Sequence, residues 1–155
     1  AGVLVTNATP VFLDNETRFY YGAHSYWDCE IDDGIPLTGI GLASMPRDRF
    51  ASIRPIESVG QITLKPIELS LCHGITINAD ASGGAIRVEL LNENGHRLRG
   101  YAKEDAVVID TDSLDHPVQW REKKIADLPP GRFLIRLHLH NAEVSALTVI
   151  HDESK

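Results

Sequence analysis

The sequence predicts an all-β fold, an antiparallel β-sandwich of jelly-roll or concanavalin-like type, on three observations. Apolar residues recur with period two along most of the chain, turn signals break those runs at short intervals, and no segment carries a helical stripe. Alternation places every second side chain on one face, as a half-buried strand requires. With 155 residues, the chain is long enough for one core that buries about 70% of the unfolded surface.

Taken in order, the predicted strands are 10–13, 17–22, 38–44, 50–53, 60–65 and 67–71, then 74–79, 84–91, 98–101, 117–121, 132–140 and 143–150. Alternation is clearest at Ile75 and Ile77, at Ile86, Val88 and Leu90, at Val118 and Trp120, and at Phe133, Ile135, Leu137 and Leu139. Between them stand Asp14-Asn15, Ser82-Gly83-Gly84, Asn94-Gly95 and Pro129-Pro130-Gly131, residues that favour turns, so antiparallel hairpins are expected. The strongest hairpin signal lies in 84–101, where Asn94-Gly95 supplies the positive φ angles of a tight tip. Residues 102–116 are polar and acidic and read as a crossing loop. The first 45 residues differ from the rest, being richer in aromatics and holding a long loop at 23–37, so residues 1–45 and 46–155 are expected as two parts.

Composition narrows the partners. The net charge is −7 and no dense Lys/Arg stripe occurs, so nucleic acid and anionic membranes are not expected. No apolar run approaches the ~20 residues of a membrane-spanning helix. The N-terminal Ala-Gly-Val has neither Met nor a signal peptide, as in a processed or trimmed chain. Cys29 and Cys72 could form one disulfide, and free buried thiols fit as well.

Five of the ten Phe, Tyr and Trp residues fall within nine positions: Phe19, Tyr20, Tyr21, Tyr26 and Trp27, with His24 among them and Asp28, Glu30, Asp32 and Asp33 following. Sugars pack their C–H faces on aromatic rings and bond their hydroxyls to carboxylate, imidazole and amide groups. Tyr20, His24, Tyr26, Trp27, Asp28 and Glu30 are therefore the expected carbohydrate-binding residues, with Phe19 and Tyr21 facing a core.

Two further groups could carry chemistry. Asp110, Asp112 and Asp115, or the neighbourhood of Asp14 and Glu16, offer hard oxygen ligands for a structural calcium, although solvated turn residues have the same composition. Arg136, His138 and His140 share one face of strand 132–140. Two His at this spacing could ligate a metal given a third ligand, or form a polar solvent face. No Gly-x-Ser-x-Gly, catalytic Cys context or Gly-x-Gly-x-x-Gly element is present, so no catalytic residue is assigned.

Several of these segments, in this order, are similar to the C-terminal end of bacterial proteins related to glycoside hydrolase families 32 and 43, where a β-propeller is followed by a β-sandwich. They are Phe19-Tyr20-Tyr21-Gly22, Gly39-Ile40-Gly41-Leu42-Ala43, Arg47-Asp48-Arg49-Phe50, Ile62-Thr63-Leu64-Lys65-Pro66, Ile77-Asn78-Ala79-Asp80-Ala81, Arg87-Val88-Glu89-Leu90-Leu91, Gly100-Tyr101, Asp112-Ser113, Val118-Gln119-Trp120 and Ile135-Arg136-Leu137-His138-Leu139. The resemblance implies that residues 1–45 form the end of a propeller's last blade, with His24 on a loop facing its centre. It further implies a secreted or periplasmic bacterial protein acting on a polysaccharide or oligosaccharide beside a catalytic β-propeller domain. The chain lacks the earlier blades, where such proteins keep their catalytic carboxylates, so the expected role is a non-catalytic carbohydrate-binding or ancillary domain of a polysaccharide-degrading system. Two alternatives stand beside it: a small glycan-active enzyme using His138 and His140 or a carboxylate pair, and a structural domain in which Tyr20, Tyr26 and Trp27 cover an interface.

Overall fold

A computed structural model describes residues 3–24 and 38–151. The chain divides into two compact units, Ala1–Arg49 and Phe50–Lys155.

The first unit is one antiparallel sheet of β1 (Val3–Thr6), β2 (Val11–Phe12), β3 (Glu16–His24) and β4 (Thr38–Pro46). Strand β3 is central, with β1 and β2 along one edge and β4 along the other. The sequence reading omitted β1, a run of only four residues, and stopped β4 two residues early. The unit closes at Arg49, four residues past the expected limit of 45. Register places Tyr21 opposite Gly41, and a Cβ on that glycine would sit 2.2 Å from the Tyr21 ring. Gly41 is thus what lets Tyr21 lie across β4.

The second unit is the sandwich. One sheet joins β5 (Val59–Thr63), β6 (Ile67–Glu68), β8 (Ala85–Asn92) and β10 (Arg132–His140), with β10 between β8 on one side and β5 and β6 on the other. The other sheet is β7 (Cys72–Asp80) between β9 (Asp112–Pro117) and β11 (Glu143–His151). All named pairs are antiparallel. Alternate residues of both sheets meet in one hydrophobic cluster: Ile75, Ile77, Ala79 and Val144 from the second, and Ile86, Val88, Leu90, Ile135, Leu137 and Leu139 from the first. This is the inward half of the predicted alternation.

Two short links join strands of opposite sheets instead of forming hairpins. Strand β7 pairs with β9 and β11 while β8 pairs with β10, so the Ala81–Gly84 turn and the Asn141-Ala142 link are corners. They pack on each other: an added Cβ at Gly84 would lie 1.9 Å from the His140 carbonyl oxygen and 2.8 Å from its carbon. Backbone at both places must move to accept it. Gly84→Ala is therefore expected to cost about 2–3 kcal/mol, read as a lowered midpoint in urea unfolding. An unchanged midpoint would show that the two corners are not in contact.

Segments flanking β8 also depart from expectation. The Asn94-Gly95 tip forms, with Gly95 at φ 82° and its amide donating to the Asn92 carbonyl at 2.9 Å. Its return arm is no strand, however: after one bridge between Leu91 and Arg97, the chain turns through Gly100 at φ 84°. That turn sends Tyr101 into the core, where its ring meets Trp120 edge-on at 5.2 Å. The Tyr101 hydroxyl donates to the Lys124 carbonyl at 2.8 Å, and burial first, then the Asp127 carboxylate, raise its pKa above the ordinary value. It stays a donor.

The expected loop 102–116 ends in β9, and the strand expected at 117–121 reduces to a bridge between Ala106 and Trp120. Strand β9 lies at a sheet edge, where exposed Asp112 and Asp115 are tolerated because one side faces water. Residues 50–53 likewise contribute only a bridge, from Ile53 to Val144. Among the described residues no helix is long and apolar enough to cross a membrane. Cys72 is a buried free thiol, and Cys29 lies outside the described residues.

Candidate functional site

The outward face of the β5–β10–β8 sheet carries an unusual charge arrangement. Alternation turns Arg87 and Glu89 outward on β8, Arg136, His138 and His140 on β10, and Gln61 and Thr63 on β5. Register then sets Thr63, Arg136 and Glu89 in one row across the strands and Gln61, His138 and Arg87 in the next. Arg136, His138 and His140 therefore do share a face, as the sequence implied.

Glu89 lies on that outward face yet is fully buried. Three groups enclose it. His138 Nε2 sits 3.1 Å from Oε2 and Arg136 Nη1 3.5 Å from the same oxygen. Arg97, brought across by the return from the Asn94-Gly95 tip, places Nε 3.0 Å from Oε1, an ion pair without a directed hydrogen bond. Arg136 is held in turn by Nε donating to Thr63 Oγ1 at 3.0 Å. A carboxylate removed from water needs such compensation, and here cationic partners outnumber it.

Beside this cluster runs a groove of about 750 Å³. The strands contribute Gln61, Arg87, His138 and His140, and the connection after the tip contributes Arg97, Lys103 and Glu104. Arg97 also faces Glu104 at 3.8 Å, and Arg87 donates to the Ala106 carbonyl at 3.4 Å. Its size falls within the usual range for small-ligand sites, about 300–1,000 Å³. The side chains offer guanidinium, ammonium, imidazole and amide groups on a sheet, donors that can hydrogen-bond hydroxyls and oxyanions. Among these groups Glu89 is sealed beneath its partners and Glu104 pairs with Arg97, an arrangement unlike the two facing carboxyl groups of a glycosidase.

The expected aromatic site is only partly within view. Tyr26, Trp27, Asp28 and Glu30 lie outside the described residues. Tyr20 is exposed on β3 opposite Leu42, and His24 ends the same strand, exposed and opposite Val3 and Thr38. Phe19 and Tyr21 turn to the other face, as alternation predicted, but they are only half-buried and do not belong to the hydrophobic core cluster.

Among the described residues no group of three His, Cys, Asp or Glu could hold a metal ion. Asp110, Asp112 and Asp115 form no such group: Asp112 and Asp115 lie on β9, extended at about 3.3 Å per residue, and Asp110 precedes it. His138 and His140 likewise find no third ligand among the described residues, where Glu89 is taken up by Arg97, Arg136 and His138.

Sequence reasoning missed Glu89, Arg97, Gln61, Arg87 and Lys103. A signal existed for Glu89 and Arg87, two charges alternating with Ile86, Val88 and Leu90 on a predicted strand. Nothing local marked Arg97 or Lys103. Fold and site together define an antiparallel β-sandwich with a charged groove on the solvent face of one sheet. Comparison of the chain with protein-family models, with curated proteins and with solved structures finds no match.

Proposed function

We propose that this chain is a non-catalytic carbohydrate-binding, ancillary β-sandwich of a secreted or periplasmic polysaccharide-degrading system, with the glycan held in the groove over β5, β10 and β8. The observation that carries this reading is the groove itself, in which Gln61, Arg87, His138 and His140 from three adjacent strands face one space. Hydrogen-bonding side chains on a rigid sheet bind sugar hydroxyls with little ordering cost. Sealing of Glu89 supports binding without turnover.

Calorimetry against plant and algal oligosaccharides tests it. Arg87→Ala should weaken binding roughly ten- to a hundredfold, the worth of one hydrogen bond to a charged group, while circular dichroism stays native. Failure of every glycan to bind the folded protein would refute the proposal.

A second reading has support from the first unit. Val5, Tyr20, Ile40 and Leu42 are exposed on one face of its sheet. A sheet with an open apolar face ordinarily packs against another layer. A catalytic β-propeller partner would supply that layer, in keeping with the family resemblance of residues 19–43. Ile40→Lys should then abolish association with such a partner and leave glycan binding unaltered.

A further inference from the structure

Within the carbohydrate-binding reading, on which this step rests, we infer that the groove selects anionic saccharides, those bearing uronate carboxylates or sulfate esters. The chain as a whole carries −7, yet among the described residues the fold gathers Arg87, Arg97 and Lys103 at this groove with Arg136 beneath, against Glu89 and Glu104. Two carboxylates do not balance four cations, before any charge on His138 or His140.

The surplus is also specific in place. Glu89 and Glu104 both engage Arg97, and Arg136 is spent on Glu89 and Thr63. Arg87 and Lys103 have no carboxylate partner among the described residues, and both are half-buried beside the groove. A cation partly withdrawn from water and left unpaired gains most from an incoming anion. The Arg87 guanidinium presents a planar fork that fits two oxygens of a carboxylate or sulfate. Gln61 and His140 remain for neighbouring hydroxyls, which a simple anion lacks.

The full chain should be titrated with an oligogalacturonate, a sulfated galactan oligosaccharide, and their methyl-esterified and desulfated counterparts of equal length, with polyglutamate as a non-sugar polyanion. At least one charged saccharide is expected to bind ten times or more tighter than its neutral counterpart, and to weaken several-fold between low and half-molar salt. Which of the two binds distinguishes carboxylate from sulfate. Arg87→Ala and Lys103→Ala should each remove most of that preference and leave the unfolding midpoint near wild type. Equal binding of charged and neutral sugars overturns the inference and leaves the carbohydrate reading standing. Polyglutamate binding as tightly as the sugars overturns the saccharide specificity, and binding of no glycan overturns both.

Discussion

Trp120→Ala is expected to lower the stability of the sandwich by about 4 kcal/mol, the usual loss for deleting a buried aromatic ring, and its melting temperature by roughly 15 °C. The indole is almost fully buried and anchors a segment outside the named strands to the core cluster. It does so through two contacts, the edge-on Tyr101 ring and a hydrogen bond from Nε1 to the Val88 carbonyl at 3.0 Å. Trp120→Phe separates them. It keeps a ring beside Tyr101 but orphans the Val88 carbonyl, a smaller loss of about 1–3 kcal/mol. Thermal unfolding followed by circular dichroism should rank wild type above W120F and W120F above W120A. A W120A protein melting with wild type would mean that the segment 118–121 is not part of the core.

Glu89→Ala should cost about 3 kcal/mol, the low end of what breaking a buried ion pair costs, because Arg97 is largely exposed and recovers its hydration. Arg136 and His138 are more enclosed and bear most of that loss. Glu89→Gln keeps shape and an acceptor for His138, so it should be milder. A double-mutant cycle with His138→Ala isolates the contact, and a coupling of about 1–2 kcal/mol is expected. Additive effects would show that Glu89 and His138 do not stabilise one another. Loss of the carboxylate also removes negative charge beneath the groove, so charged glycans should bind E89Q no more weakly than wild type.

The two results bear on different parts of the chain's logic. Trp120 was legible in the sequence as one of an alternating apolar pair, but its strand was not there. Pro117 ends β9, and what holds Trp120 is the turn at Gly100 that sends Tyr101 inward. Similarly, Arg136, His138 and His140 could be placed on one face from spacing alone, whereas their environment could not. Glu89 stands 49 residues from His138 in the chain, and whether those two meet depends on which strands pair.

By itself, the sequence determined the strand class, the inward and outward members of most strands, and the polar face of β10, because pleating is a local property with period two. Only the tertiary structure decided that β8 pairs with β10 and β7 with β11, that short links are corners, and that an outward glutamate is buried. Strand partners are chosen by how two apolar faces close on each other, and that closure is non-local. It also concentrates cations at one groove of an acidic protein, where a charge summed over the whole chain reveals nothing of the local field.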